Sequence, residues 1–123
     1  MKIDAPEVVA EVRAAFQRYQ DAVITNDIPV LNELFWNDQR TLRYGAAENL
    51  YGHQEISGYR SARSPAGLAR EETRRVVTTF GSDYATTNIE FTRQGRRGRQ
   101  SQAWARLPEG WRIVAAHVSY MDE

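Results

Sequence analysis

One arginine stands where its neighbours predict burial, and its chemistry suits an anionic substrate. Arg43 lies between Leu42 and Tyr44 in a short run typical of a β-strand. A buried guanidinium is costly unless it is paired, and its planar fork suits a planar carboxylate held by two hydrogen bonds. We therefore expect its partner to be either the carboxylate of a ligand or a protein acid such as Glu48 or Glu90.

The phenol of Tyr19 is the second candidate group. Tyr19 falls on the apolar stripe of a predicted helix, so its hydroxyl is expected to point inward. A neutral phenol beside a guanidinium can donate a hydrogen bond or a proton to a departing carboxylate or amide. The alternative is a core tyrosine whose hydroxyl bonds to the backbone.

Aromatic and polar side chains elsewhere are candidates for the wall of a pocket around this pair. Gln100, Gln102 and Trp104 alternate along one predicted strand, so they share a face, and amides can read both the donors and the acceptors of a ureido group. His117 and Ser119 share a face of the next strand. Their spacing does not favour a base and nucleophile couple, so they are expected to line the pocket or a dimer interface. The candidate substrate-binding residues are Trp36, Tyr44, Gln102, Trp104, His117 and Ser119.

Composition argues against several other kinds of function. The 123 residues include two dispersed histidines and no cysteine, and no glycine-rich phosphate loop stands between a strand and a helix, so neither a metal nor a cofactor is expected. Sixteen basic and sixteen acidic residues balance, which argues against nucleic acid or a membrane surface as a partner. No signal peptide and no apolar run of roughly 20 residues is seen, so we expect a cytoplasmic protein.

The elements that position these groups follow an α+β order in one domain over residues 1–123. Apolar spacing predicts a long helix capped by Asp4, a short helix capped by Asp27 and a third helix over 53–63. A small hairpin at 41–52 precedes the third helix. Four β-rich runs follow it at 70–80, 84–93, 99–107 and 111–120, joined by short turns. We predict three N-terminal helices packed on one curved antiparallel sheet, with a cavity at the wide end.

The last predicted strand is apolar on both faces. Alternation assigns one face to Trp111, Ile113, Ala115, His117 and Ser119, and the other to Val114, Ala116, Val118 and Tyr120. The helices can cover only one face of the sheet. We therefore expect a homodimer formed through the other face.

Four segments and their order resemble a known family. They are 26–36, 42–53, 98–111 and the closing run 111–119. Over essentially its whole length the chain resembles the nuclear-transport-factor-2-like superfamily, and within it the AtzH-like family named for oxalurate catabolism and dicarboxyurea hydrolysis. The resemblance implies a cone-shaped fold and a small cytoplasmic dimer in nitrogen catabolism. It also implies that Tyr19 and Arg43 match the two positions that dicarboxyurea-hydrolysing members use.

Three functions are compatible with these observations. The leading hypothesis is cofactor-free hydrolysis or decarboxylation at a C–N bond of a ureido carboxylate, either 1,3-dicarboxyurea or oxalurate, with Arg43 holding the carboxylate and Tyr19 donating a proton or orienting water. The alternative is a binding or accessory protein for an amidohydrolase in oxalurate catabolism. A third, weaker reading is an isomerase of the steroid-isomerase type, which would need a carboxylate base such as Asp38 or Glu90 in the cavity.

Overall fold

The structure is a computed structural model that describes residues 1–121. The order of its elements is α1 (Pro6–Thr25), α2 (Ile28–Leu34), β1 (Leu42–Tyr44), β2 (Asn49–Tyr51), α3 (His53–Ala62), β3 (Glu71–Phe80), β4 (Tyr84–Arg93), β5 (Arg96–Leu107) and β6 (Gly110–Tyr120). The predicted α+β class and its three helices followed by a long sheet are confirmed. Across the described residues, no helix has the length and apolar character that a membrane crossing requires.

The six strands form one sheet in the order β2-β1-β6-β5-β4-β3. Strands β3 to β6 are an antiparallel meander, as predicted. Strand β1 pairs with β2 as a small hairpin, and it also pairs in parallel with β6, where Leu42 lies beside Ala115. The prediction of a wholly antiparallel sheet missed this pairing. Because β1 lies between β2 and β6, Arg43 projects from the interior of the sheet rather than from its edge.

The core lies between the helices and one face of the sheet. Helix α1 buries residues at helical spacing, which are Val8, Val12, Phe16, Tyr19 and Val23. They belong to one buried cluster with inward-facing residues of the sheet, including Ile89, Phe91, Trp104 and Ile113. The helices therefore cover one face of the sheet and leave the other outside the core.

The start of α1 differs from the prediction. Ala5, not Asp4, is the N-cap, and no side chain caps the helix. Asp4 adopts a left-handed φ of 56°, its carboxylate accepts a hydrogen bond from the Thr79 amide at 2.9 Å, and its own amide donates to the Thr79 carbonyl at 3.0 Å. Asp4 thus fastens the start of the chain to β3. The predicted cap of α2 is confirmed, since the Asp27 carboxylate accepts from the Val30 amide.

A β-bulge in β6 reverses the predicted alternation of that strand. Ala103 pairs with Ala115, but the next residue, Trp104, pairs with Ile113, so Val114 is the extra residue. A bulge of this kind exchanges the faces of all residues beyond it. Trp111 and Ile113 therefore face the helices, whereas Ala115, His117 and Ser119 face outward. The prediction that these five residues share one face is wrong.

Candidate functional site

Helix α1 and strand β1 direct Tyr19 and Arg43 into the same interior region. Tyr19 is 2% exposed and Arg43 is 6% exposed. They are close enough for the charge of Arg43 to lower the pKa of the Tyr19 phenol. The two side chains therefore lie near each other, and their catalytic role stays a prediction.

Arg43 has a protein partner, Glu48. Its Nη1 donates to Oε1 of Glu48 at 2.8 Å. The second oxygen of Glu48 accepts from the backbone amide of Ala47 at 3.2 Å. The salt bridge between Arg43 and Glu48 is therefore monodentate. Gly45 makes this approach possible, because a Cβ there would lie 1.8 Å from Oε1 of Glu48. The alternative of a salt bridge to Glu48 is therefore the one observed.

Four further arginines lie in the region around Tyr19 and Arg43, and sequence reasoning did not single them out. We refer to Arg43, Arg60, Arg63, Arg70 and Arg93 as the arginine cluster. Arg60 and Arg63 come from the end of α3, Arg70 from the residue before β3, and Arg93 from the end of β4. A cavity of about 180 Å³ opens onto three members of the cluster, Arg43, Arg63 and Arg93, and its lining also includes Glu48, Tyr59 and Tyr120. Tyr19, Arg60 and Arg70 lie behind this lining.

Two members of the cluster are bonded to neutral acceptors. Arg70 donates to the side-chain oxygen of Gln100 at 3.1 Å and to that of Gln20. Arg93 donates to the hydroxyl of Tyr120 at 3.3 Å and to the carbonyl of Leu68 at 2.9 Å. None of these acceptors carries a negative charge at neutral pH, so they satisfy hydrogen bonds without neutralising the guanidinium ions.

Carboxylates are scarce beside the cluster. Glu48 pairs directly with Arg43. Glu72 lies close enough to influence Arg70, but both of its oxygens are hydrogen-bonded to Arg75, at 2.7 and 2.8 Å. Within the part of the chain that the structure describes, the region around Tyr19 therefore carries an excess of positive charge.

Arg60 is the most deeply buried member of the cluster. Its side chain is fully buried, and none of its three nitrogens has a hydrogen-bond partner among residues 1–121. Burial lowers the pKa of Arg60 to about 10, and the charges of Arg43 and Arg63 act in the same direction, whereas Tyr19 opposes them. The guanidinium remains protonated at neutral pH.

Tyr19 lies at the meeting point of these charges. Its hydroxyl donates to the side-chain oxygen of Gln100 at 3.3 Å. Burial raises the pKa of the phenol, but the charges of Arg60, Arg70 and Arg43 outweigh it and bring the pKa below its usual value of 10.0. A phenol in this setting is a better proton donor than a free tyrosine, because nearby positive charge stabilises the tyrosinate.

Gln102 and Trp104 face inward with Gln100, as their alternation predicts, but they lie in a separate buried network. The indole nitrogen of Trp104 donates to Oγ1 of Thr87 at 3.0 Å, and that hydroxyl donates to the side-chain oxygen of Gln102 at 3.2 Å. The amide nitrogen of Gln102 has no partner in the described chain. Gln100 is the glutamine that contacts Tyr19, so the structure favours it over Gln102 as a site residue.

Tyr44 and His117 lie on the outer face of the sheet, away from the cluster. They are opposite each other on β1 and β6, and their rings meet edge to face with centroids 5.7 Å apart. Both line a cavity of about 390 Å³ on that face. Tyr44 faces outward because it follows inward-facing Arg43, and His117 faces outward because of the β6 bulge. The structure therefore does not place Tyr44 beside Arg43, and for His117 it agrees with the second of the two positions expected from the sequence, the face left for a dimer.

Ser119 and Trp36 are also placed outside the cluster. Ser119 shares the outer face with His117 and accepts a hydrogen bond from Arg99 at 3.4 Å. Trp36 is half-buried, and the guanidinium of Arg40 lies 4.7 Å from the centroid of its ring. The structure does not bring either residue to the arginine cluster, so it does not support a shared binding site.

The two carboxylates considered for an isomerase lie at the surface. Arg40 binds Asp38 at 2.9 Å and lowers the pKa of that carboxyl to about 2. Glu90 is exposed, 3.9 Å from Arg74. Neither faces the interior, so neither can serve as a base in an apolar cavity, and the steroid-isomerase reading is wrong for these residues. Among residues 1–121, no group of three histidine, aspartate or glutamate side chains is placed to hold a metal ion.

The layers and the site together define a nuclear-transport-factor-2-like fold, also described as cystatin-like. A nuclear-transport-factor-2-like protein from Salmonella enterica superposes with a TM-score of 0.79 over 95% of this chain and 93% of that chain. The two sequences are 21% identical, so this likeness concerns the fold alone.

The sequence matches the AtzH-like family over residues 1–123, and the chain belongs to that family. A crystal structure of a protein of unknown function from Pectobacterium atrosepticum is 54% identical, with a TM-score of 0.95 over 98% of this chain and 95% of that chain. A cystatin-like fold protein from Burkholderia xenovorans is 46% identical, with a TM-score of 0.95 over 100% and 98% of the two chains. No curated protein matches the chain.

Proposed function

We propose that this protein binds a small ureido carboxylate at the arginine cluster and cleaves one of its C–N bonds without a cofactor. The observation that carries the proposal is the excess of guanidinium groups around the buried phenol of Tyr19. A buried cation is stabilised by an anion that also satisfies its hydrogen bonds. A planar carboxylate supplies both, and 1,3-dicarboxyurea and oxalurate each carry one.

For an N-carboxylated urea the chemistry is a proton transfer coupled to loss of carbon dioxide. Arg43 holds a ligand carboxylate, and Tyr19 gives its proton to the adjacent nitrogen. The C–N bond then breaks, its electron pair stays on nitrogen, and the carboxyl group leaves as CO2. The tyrosinate that remains faces Arg60 and Arg70, whose charges lower the pKa of Tyr19, and it regains a proton from water.

Oxalurate requires a different step, because its carboxylate is bonded to carbon rather than to nitrogen. Water must add to the carbonyl carbon next to the ureido nitrogen. The C–N bond then breaks with its electron pair on nitrogen, the nitrogen takes the Tyr19 proton, and the proton released by the added water returns to the tyrosinate, which leaves oxalate and urea as products. Both reactions use the same two residues, so Arg43 and Tyr19 are the pair to test with either substrate.

A binding or accessory role in oxalurate catabolism is the second candidate, and the position of Glu48 favours it. Both oxygens of this carboxylate are engaged, by Arg43 and by the Ala47 amide. In that position Glu48 is not free to activate a water molecule. A protein that captures a ureido carboxylate and passes it to an amidohydrolase would need the cluster but no such base.

The two functions are separated by incubating the purified protein with 1,3-dicarboxyurea while CO2 release is followed, and with oxalurate while urea and oxalate release are followed. For an enzyme, we expect Tyr19→Phe to lower turnover by about a hundredfold or more, and Arg43→Ala to lower kcat/KM further. Tyr84→Phe, at an exposed tyrosine, is the matched control. Thermal stabilisation by ligand without turnover supports the binding role, whereas turnover unchanged in both variants removes our assignment.

A further inference from the structure

We propose that Arg60 forms a second anion-binding subsite, so that the site takes a ligand with two negative groups, one on Arg43 and one on Arg60. The inference deepens the proposed function and rests on it, because both groups belong to the arginine cluster. It extends the site to a residue of α3 that the family resemblance does not assign.

Arg60 differs from the other buried arginines in having no well-aligned hydrogen-bond acceptor in the described chain, although the Tyr19 hydroxyl lies close enough to interact with it. Arg43 has Glu48, and Arg70 and Arg93 have neutral oxygens. The three nitrogens of Arg60 lack any partner within residues 1–121, although its side chain is fully buried. A buried guanidinium ion whose N–H groups lack well-aligned acceptors is strongly destabilising. A residue retained at that cost is explained by a ligand that supplies the acceptors.

The backbone of Arg60 is fixed even though its side chain is unbonded. Asn26 ends α1 in a left-handed conformation with φ 52°. The side-chain amide nitrogen of Asn26 donates to the carbonyls of Arg60 and Arg63, both at 2.9 Å. The last turn of α3 is thereby tied to the end of α1. A guanidinium held in place by its backbone, with its donors unused, is suited to receive a charged group with little rearrangement.

The position of Arg60 relative to Arg43 indicates the shape of the ligand. Their guanidinium carbons lie 6.0 and 5.3 Å from the centroid of the Tyr59 ring. Both act on Tyr19, the reacting phenol of the proposed mechanism. A ligand that bridges the two arginines therefore has its central part close to Tyr19. The chemical class that fits is a short dianion with a carboxylate at each end and a polar, hydrogen-bonding middle.

The direct test uses two stable probes that differ by one charge. Glutarate carries two carboxylates, and its monoamide has the same length and one carboxylate. Titration calorimetry with the wild-type protein should show glutarate binding at least about tenfold more tightly than the monoamide. In Arg60→Met this preference should largely disappear, while the monoamide still binds. Arg74→Met, at an exposed arginine, should leave the preference unchanged.

Thermal unfolding provides a second readout, because the substitution should change the Tm of the ligand-free protein and the stabilisation by ligand in opposite directions. Methionine has a similar length and no charge, so Arg60→Met should raise the Tm by a few degrees while removing stabilisation by glutarate. If Arg60 instead stabilised the fold, Arg60→Met would lower the Tm of the ligand-free protein. A lower Tm, or failure of Arg60→Met to fold, overturns the inference, because it means that the protein itself uses the guanidinium.

The conservative variant separates the remaining outcomes. Arg60→Lys keeps the charge and loses the planar fork, so it should retain part of the preference for glutarate. Equal binding of both probes by the wild-type protein would show that the second subsite is wrong while the pocket at Arg43 stands. Binding of neither probe would instead remove the anion pocket of the proposed function.

Discussion

At the scale of single residues, opposing forces set the ionisation of Tyr19. Burial disfavours the tyrosinate, whereas Arg60, Arg70 and Arg43 favour it and prevail, so the pKa is lower in the folded protein than the usual 10.0. A group with a depressed pKa in the folded state contributes stability above its unfolded pKa, and this contribution is lost as pH falls through the folded value. The tyrosinate therefore stabilises the fold only in alkaline solution.

We predict that one of the six tyrosines ionises before the others when the protein is titrated with base. Its phenol should lose a proton below pH 10 because three guanidinium ions stabilise the anion. The measurement is the ultraviolet absorbance of tyrosinate as a function of pH. The early transition should vanish in Tyr19→Phe and persist in Tyr84→Phe, and identical curves for the two variants would contradict the prediction.

We predict that Glu48→Gln strengthens anion binding. The Glu48 carboxylate accepts a hydrogen bond from Nη1 of Arg43 at 2.8 Å. It therefore competes with the carboxylate of a ligand for the guanidinium donors. Removing its charge should tighten glutarate binding by about three- to tenfold, measured by titration calorimetry. Glu90→Gln, at an exposed carboxylate, should have no effect. Weaker binding in Glu48→Gln would mean that Glu48 shapes the site instead of competing for it.

At the scale of elements, α3 depends on the end of α1 for its position. The side chain of Asn26 links the two helices through the carbonyls of Arg60 and Arg63. The left-handed φ of Asn26 is one that asparagine and glycine tolerate better than alanine. The placement of two arginines of the cluster therefore rests on one side-chain amide and one backbone conformation.

We predict that Asn26→Gly and Asn26→Ala both weaken the fold and glutarate binding. Both lose two hydrogen bonds, at a cost of about 1–3 kcal/mol, and alanine adds the cost of its left-handed conformation, about 1 kcal/mol. Urea unfolding should rank stability as wild type, then glycine, then alanine. If glutarate affinity were unchanged in both variants, the anchoring of α3 would be irrelevant to the site.

The sequence predicts the elements better than it predicts their faces. The helical stripe of α1 and the strand at 84–93 are correct because their periodicity is strong and turn residues flank them. The bulge at Val114 was not predicted, because no glycine stands near that position to indicate an extra residue. It places His117 and Ser119 on the outer face of the sheet, the second of the two positions expected for them. Arg43 was identifiable because its strand neighbours predict burial.

The rest of the arginine cluster could not be predicted for a topological reason. Arg60 lies in α3, Arg70 in the loop before β3 and Arg93 at the end of β4. An arginine next to a loop or at the end of an element is ordinarily solvated. Only the folding of α3 against α1 and the sheet brings them together, so local patterns contain no signal for them.

At the scale of the whole molecule, the sheet has one uncovered face. Tyr44, His117, Ala103 and Ala115 line its cavity of about 390 Å³, and the helices pack on the opposite side. We propose that this face pairs with the same face of a second copy, which would bury the apolar residues and keep both arginine clusters separate. The site in each copy would then be complete within one chain.

We predict a dimer in solution, measured by light scattering during gel filtration. Ala115→Arg should yield a monomer, because it places a charge in the middle of the outer face. Glu109→Arg, in the exposed turn before β6, should remain dimeric. Both variants should bind glutarate like the wild type, since neither residue lies at the cluster. A wild-type monomer would rule out the pairing.

The parallel contact between β1 and β6 also decides the order in which the protein can be made. A chain leaving the ribosome can form α1 and the β3–β5 hairpins early, but the strand that bears Arg43 joins the main sheet through Leu42 and Ala115, which are far apart in the chain. This strand can take its place only after β6 has been made. Under the proposed function, a nascent chain would therefore bind its anion only after β6 has left the ribosome.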